Sequence, residues 1–512
     1  MNQAETHLQV HRGPALYLLC ALLSIVLFSY ALHIDDTLND DGMDYIFAAH
    51  DYQHGQFESA RTFRPERTFY AQIALVADYS GLSTAHAAYG LSLVAQIALM
   101  CGFLALIRVL GGDGATQLLA ILVFTSLYHL NEFRPHILKD FAFWACQAWA
   151  LWALLRYVQS ARVWFLVAWA TLSLTSMIYR IEGIVYVAGT LIAVPFIARG
   201  RARRRFLLLT TLGVGAIAVI VAGQLYYQGK ADPTVSVTRA GFAPVERLET
   251  ELERIKTVFA GLERQKERIR QTLPNKWARD SASHILIGGL LFQVIKVILS
   301  TSNLWLLLLA LFVGTPRLLP RANRHPLIGV YFAIGLVICL YSVASRFFIT
   351  ERYAFFPALM LCLPIPFLLT PLFAKSEDSR RARRPILRAL VFVIPALVIL
   401  APALKDDDEK VYIPEAGNWI RKNLPEPEKI YFNDRKIAFY ARAYSNRSFR
   451  MNGLSLDNLR LQGYDYAVIH SEEVSQLPRH PGNALGTQTE HIHSVAGPKN
   501  KRVDIYKLAI EP

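Results

Sequence analysis

The run PALYLLCALLSIVLFSYALH (Pro14 to His33), followed closely by NDDGMDY (Asn39 to Tyr45), decides the fold. Its apolar part has the ~20 residues that a helix needs to cross a bilayer. Carboxylates at the exit of such a helix sit where desolvation is expensive, which points to function. No small-x-small cleavage site follows the run, so it reads as an uncleaved first transmembrane helix.

The remaining composition agrees. Of 512 residues, 53% are hydrophobic, too many for an ordinary soluble chain of this size. A net charge of +14 would suit nucleic acid, but much of the excess lies in short Arg clusters between apolar runs. Cytoplasmic loops have that character, so membrane lipids and no nucleic acid are the expected partners. All five cysteines (Cys20, Cys101, Cys146, Cys339 and Cys362) lie inside apolar segments, which argues against a disulfide framework or a thiolate zinc site.

Three basic loops, Arg199 to Arg205, Arg317 to Arg324 and Lys375 to Arg384, set the orientation if they face the cytoplasm. Outward helices then start near Pro14, Gly114, Val163, Phe206, Pro326 and Pro385, and inward ones near Ser83, Leu138, Gly183, Thr301 and Tyr353. The expected fold is mainly α: a polytopic membrane helical bundle of about eleven spans over residues 1–404. Interfacial helices are expected in the first outer loop (34–67), and an amphipathic helix in the long outer loop (228–300). Parity makes Ile285 to Leu299 an interfacial or partly re-entrant segment. Residues 405–512 read as a small α/β domain on the extracytoplasmic side.

In the long loop, Val245, Leu248, Leu252, Ile255, Phe259, Leu262, Ile269 and Leu273 recur at three- and four-residue spacing between Pro244 and Pro274. Packing on the protein's own outer surface is the default reading, with a coiled coil or a lid as alternatives. The C-terminal region predicts a helix over Glu415 to Asn423. Strands are predicted at Lys429 to Phe432, Tyr464 to His470 and Arg502 to Leu508, and His491 and His493 read as loop residues.

The unusual polar residues collect on the outer side. Asp40, Asp41, Asp44 and Tyr45 come first, then Arg64-Pro65-Glu66-Arg67, then Arg134-Pro135-His136 with Asp140. Tyr179-Arg180-Ile181-Glu182-Gly183 and Glu351-Arg352-Tyr353 complete the set. An acid just after the first transmembrane helix, a Tyr four positions on, then Ala49 and Gly55 resembles the GT-C superfamily of membrane glycosyltransferases. Within it, the chain is similar to the group of the aminoarabinose transferase and the protein O-mannosyltransferases. The later charged junctions resemble the family's outer-loop and late-helix motifs, and the C-terminal region its extracytoplasmic domain.

That resemblance implies transfer of a sugar from a polyprenyl-phosphate donor to an acceptor lipid, glycan or protein. It implies a multi-pass protein of a bacterial inner membrane, with its site facing the periplasm. A phosphate leaving group needs little help from a general acid; the site needs a base for the acceptor proton and cations for the phosphate. Asp41 is the expected base, with Asp40 its closest rival and Asp140 a further catalytic candidate. Arg64, Arg67, Arg180 and Arg352 are expected on the phosphate, because a guanidinium fork suits it. Asp44, Tyr45, Arg134, Glu182 and Tyr353 are expected to contact substrate. Helix capping by the acids and snorkelling by the arginines are the structural alternatives. No cofactor is called for with certainty, and a divalent cation is left open because no metal-ligand run is present. A polysaccharide polymerase or ligase on a lipid carrier is the alternative enzyme. A transporter or flippase is the alternative class, disfavoured by the lack of an obvious repeat.

A reporter fused after Pro512 is expected to read the periplasmic or luminal side, and one near Gly200 the cytoplasmic side. Both reporters on one side would remove the outer chamber.

Overall fold

Helices begin where the sequence supplies an acceptor or a proline. Asp113 accepts the Thr116 amide ahead of Gly114, and His325 accepts the Leu327 amide ahead of Pro326. This computed structural model describes residues 3–35, 37–64, 67–213, 244–313, 325–373, 384–401, 411–424, 426, 429–446, 448–450, 463–471, 489–498 and 501–508. The basic loop Arg317 to Arg324, nearly all of Lys375 to Arg384 and loop residues 228–243 lie outside them.

The helices in chain order are α1 (Gln3–Ile34), α2 (Asp40–Gln53), α3 (Phe57–Phe63), α4 (Arg67–Ser80), α5 (Thr84–Val109), α6 (Gly114–Thr125), α7 (Tyr128–Phe133) and α8 (Asp140–Ser160). They continue with α9 (Val163–Tyr179), α10 (Gly183–Ile197), α11 (helical residues 200–213), α12 (Pro244–Thr272), α13 (Lys276–Asp280), α14 (Ala282–Thr301) and α15 (Leu304–Val313). The last are α16 (Pro326–Arg346), α17 (Glu351–Cys362), α18 (Ile365–Leu369), α19 (Arg384–Leu400), α20 (Tyr412–Asn423) and α21 (Arg435–Tyr440). Strands β1 (Ile430–Phe432), β2 (Tyr466–Ser471), β3 (Thr489–Ala496) and β4 (Arg502–Leu508) lie near the C-terminal end.

Among the described residues, five helical segments are long and apolar enough to cross a membrane: Gly13–Ile34, Thr84–Val109, Ala282–Thr301, Pro326–Arg346 and Glu351–Leu372. Shorter apolar helices accompany them at Gly114–Thr125, Val163–Tyr179, Gly183–Ile197, Leu304–Val313 and Pro385–Leu400. The segment read as interfacial or re-entrant is one unbroken helix of 20 residues. Its length and apolarity allow a crossing, and a crossing there would reverse the sidedness of all that follows. The amphipathic helix runs from Pro244 to Thr272, as its spacing predicts.

The chain divides into two units. The first comprises Met1–Ser24, Ala95–Asn131 and Asp140–Ile399. At its interior α8 is buried on most faces through Phe141, Trp144, Ala148, Leu151 and Leu155, and Trp144 stacks on Phe355 with ring centroids 4.2 Å apart. Some of the polar groups inside are paired with one another, which lowers the cost of burying them. The Gln147 amide donates to Ser176 Oγ at 2.8 Å, and the Tyr157 hydroxyl to the Ala202 carbonyl at 2.7 Å. Helices α16 and α17 meet where Gly335 lacks a side chain: a Cβ there would lie 2.9 Å from the Pro357 ring. Small residues let membrane helices approach in this way.

The second unit comprises Ile25–Val94, Glu132–Lys139 and Leu400–Pro512, so the first outer loop shares a unit with the C-terminal region. Its sheet has the order β1-β2-β4-β3, with β1 and β2 parallel and the other pairs antiparallel. Ile413, Ala416 and Ile420 of α20 belong to one core with Ile430, Phe432, Val468, Val503 and Ile505. Strand β3 corrects the loop reading of His491 and His493. A register shift between them breaks the alternation that marks a strand, and His493 stacks on Trp419 at 4.3 Å.

Gly335→Ala is expected to destabilise the protein by about 1–3 kcal/mol through overpacking. Gly329→Ala in the same helix, with nothing within 4 Å of the added carbon, is expected to leave it unchanged or slightly improved. Thermal unfolding in detergent compares the two.

Candidate functional site

In the second unit, the first turn of α2 brings Asp40, Asp41 and Asp44 together, with the two leading acids at the positive end of the helix dipole. Gly42 makes this possible. A Cβ there would fall 2.6 Å from Asn39 Oδ1 and 3.1 Å from Ile137. Asn39 does not cap the helix through its side chain; its Oδ1 accepts the Ile137 amide at 3.0 Å. The acids do not act as caps either, because their carboxylates turn to cations.

Arg64, just past α3, donates to Asp41 and lies 3.1 Å from Asp44. Its guanidinium covers the buried Tyr45 ring at 4.8 Å. Arg435 donates to Asp44 at 2.8 Å and reaches Asp40 at 3.5 Å, while Lys436 lies 3.1 Å from Asp40. Burial raises Asp44 above the ordinary carboxylate range: Arg435 and Arg64 oppose the shift, and Asp41 and Asp40 reinforce it. Burial works against the charge of Arg64, but Tyr45, Asp41 and Asp44 outweigh it and hold the guanidinium above its usual value.

Arg435 and Lys436 open α21 behind the cap residue Asp434. Asp434 takes the Lys436 amide at 2.7 Å and His470 Nδ1 at 2.6 Å, and His470 Nε2 meets the Tyr412 hydroxyl at 2.7 Å. Two cavities flank the first turn of α2. One, of about 180 Å³, includes Asp35, Asp40, His136, Lys436 and Tyr440 in its lining. The other, of about 440 Å³, includes Asp44, Asp434 and Arg435.

A different constellation forms in the first unit. Asp140 starts α8 and is buried; Arg180, in the α9–α10 junction, donates to it and lies 2.8 Å from Glu182. Arg352, in the first turn of α17, lies 3.9 Å from Asp140. The Arg180 guanidinium sits over the Tyr353 ring at 4.5 Å, and Arg346 donates to the Tyr353 hydroxyl at 2.8 Å. Burial disfavours the Arg180 charge, but Asp140 and Glu182 more than restore it. The junction turns tightly because Gly183 packs against the end of α9, where a Cβ would come 2.8 Å from Ser176 Oγ. Three guanidiniums (Arg180, Arg346, Arg352) face two carboxylates here, an excess that suits an anion.

The expected residues therefore fall into two groups. Asp40, Asp41, Asp44, Tyr45 and Arg64 gather in one unit, and Asp140, Arg180, Glu182, Arg352 and Tyr353 in the other. Arg134 is fully buried within the second unit, where burial lowers it to about 10. Arg67 opens α4, but its side chain is outside the described residues. Sequence reasoning missed Arg435, Lys436 and Arg346. One signal was available: cations at the start of a helix oppose its dipole and imply acids nearby. Among the described residues no group of three His, Cys, Asp or Glu is placed to hold a metal ion.

No protein-family model and no curated protein matches the sequence. Solved structures do. The apo oligosaccharyltransferase of Archaeoglobus fulgidus matches with a TM-score of 0.51 at 12% identity, over 89% of this chain and 69% of the other. The archaeal oligosaccharyltransferase AglB from the same organism, in complex with an inhibitory peptide and a dolichol-phosphate, gives 0.50 at 11% identity over the same shares. ArnT from Cupriavidus metallidurans bound to undecaprenyl phosphate covers 97% of this chain and 99% of its own at 14% identity, with a TM-score of 0.42, too low to argue from. At these identities the likeness is one of fold, shared with the two oligosaccharyltransferase structures.

Burial alone would raise Asp434, but its bonds to His470 and the Lys436 amide prevail and hold it below the ordinary value of 3.8. A depressed folded value stabilises the protein above the unfolded value, and that contribution is lost as pH falls through the folded one. Asp434→Asn is therefore expected to flatten the loss of thermal stability below about pH 4. Melting curves in detergent across the acid range check this.

Proposed function

We propose that the chain is a membrane glycosyltransferase that moves a sugar from a polyprenyl-phosphate donor to an acceptor lipid, glycan or protein on the extracytoplasmic face. The observation that carries the proposal is the acid turn of α2, held half-buried by Arg64 within a chain of GT-C fold. The acids supply a candidate base, and the guanidiniums suit a phosphate. Asp41 accepts the acceptor's proton, the acceptor atom bonds to the anomeric carbon, and the carbon–oxygen bond to phosphate breaks with its electron pair leaving on phosphate. Attack opposite the leaving group inverts the anomeric centre. Arg180 and Arg352 stabilise the phosphate charge, and Glu182 and Tyr353 orient the guanidiniums.

Arg64 is given a different part from the one its sequence context implies. Its guanidinium is engaged by Asp41 and Asp44, so it orients the base. Asp40 is the weaker candidate for the base, being 53% exposed against 27% for Asp41. The same reading includes about eleven spans, outer-loop helices along the membrane surface, and a bacterial inner membrane with the site toward the periplasm.

Asp41→Asn is expected to lower transfer at least ~100-fold while the protein stays folded and inserted. Inactive Asp40→Asn beside a working Asp41→Asn would move the base by one residue, and two working variants would refute the mechanism. Arg352→Ala is expected to weaken donor use by ~1.5–3 kcal/mol, with only partial recovery in Arg352→Lys. Transfer titrated against donor at saturating acceptor, then the reverse, checks it; a defect confined to the acceptor titration would reassign Arg352.

A further inference from the structure

The larger cavity beside α2 differs in character from the anion-suited cluster around Arg180. Its lining consists of Asp44, Thr62, Phe63, Asn433, Asp434, Arg435 and Phe449. Two carboxylates face one guanidinium, so the lining carries no excess of positive charge with which to hold a phosphate. Its volume of about 440 Å³ lies within the ~300–1,000 Å³ of small-molecule sites.

The aromatic wall is fixed from behind. Phe63 stacks on the buried Phe47 at 5.2 Å with 8° between the planes, and Phe449 lies 5.6 Å from Phe47 and 6.4 Å from Phe63. The polar wall is equally braced. Asn433 is tied to the His470 backbone by bonds of 2.7 and 2.9 Å, and Asp434 is held by His470 and the Lys436 amide. Arg435 is aligned by Asp44. Ring faces beside a fixed set of carboxylate, amide, hydroxyl and guanidinium groups match a neutral sugar ring. Its C–H face packs on an aromatic surface while its hydroxyls donate to carboxylates and accept from a guanidinium.

We infer that this cavity is a subsite for a neutral saccharide unit of one of the two substrates, with Phe449 and Arg435 as its specificity-determining residues. The inference rests on the glycosyl-transfer reading and adds where a saccharide unit is recognised.

The test uses the full-length protein in lipid nanodiscs and saturation-transfer NMR with the methyl glycosides of glucose, galactose and mannose. Binding of at least one is expected, weakened roughly tenfold by Phe449→Leu and retained in Phe449→Tyr. Arg435→Gln, which leaves the aromatic packing intact, is expected to weaken it similarly. Inorganic phosphate at equal concentration is expected not to displace the glycoside. The inference is overturned if none of the three glycosides binds, if both weakening variants bind normally, or if phosphate competes. A raised KM in Phe449→Leu for the acceptor alone assigns the subsite to the acceptor's glycan, and one for the donor alone to the donor's sugar. Asp41→Asn keeps the two ideas separable: normal transfer by that variant, with glycoside binding still sensitive to Phe449→Leu, would sink the catalytic reading and leave the subsite standing.

Discussion

Three carboxylates in one helical turn repel one another, and nothing within that turn can neutralise them. Asp40, Asp41 and Asp44 therefore depend on cations brought from elsewhere in the chain. Arg64 comes from the end of α3, and Arg435 and Lys436 from the start of α21. The need to match this charge ties the outer loop to the C-terminal region within the second unit. Loss of Arg64 would take a partner from two acids at once, whereas loss of Lys436 would take one only from the most solvated of the three. The aromatic cluster of Phe47, Phe63, Phe439, Tyr444 and Phe449 adds apolar contact to the same join.

The first unit solves the opposite problem. Here the enclosed group is a cation: Arg180 is only 10% exposed between Asp140 and Glu182. Aromatic rings provide part of the compensation: Tyr353 lies beneath both Arg180 and Arg346, and Phe143 at 5.9 Å from Arg180. The backbone just after Arg346, the last residue of α16, is strained at Phe347, whose φ of +59° is rare for an aromatic residue. Such strain persists only where the surroundings hold the backbone, as at binding sites.

Much of this was legible in the sequence, for identifiable reasons. The acid turn, the long amphipathic helix and three of the four strands carry local signals: charge density at a helix exit, strict three-four spacing, and short β-branched or aromatic runs. The sidedness signal in Arg180, Glu182 and Arg352 grouped residues that prove to be neighbours. Arg435 and Lys436 carried only the weak signal of cations opening a helix, which does not name their partners; Asp44 lies 391 residues from Arg435. Strand β3 escaped because its bulge interrupts the alternation of polar and apolar residues. Helix α14 has the 20 continuous helical residues and the apolarity of a span, while the count of crossings set by the basic loops reads it as lying at the interface.

Arg435 and Lys436 are consecutive residues of one six-residue helix, yet they serve different acids and line different cavities. So short a helix moves as a unit. A displacement that drew Arg435 away from Asp44 would carry Lys436 from Asp40 in the same motion, leaving Asp44 to Arg64 alone. A ligand that caused it in one cavity would alter the wall of the other, and by thermodynamic reciprocity such a coupling would have the same size in both directions.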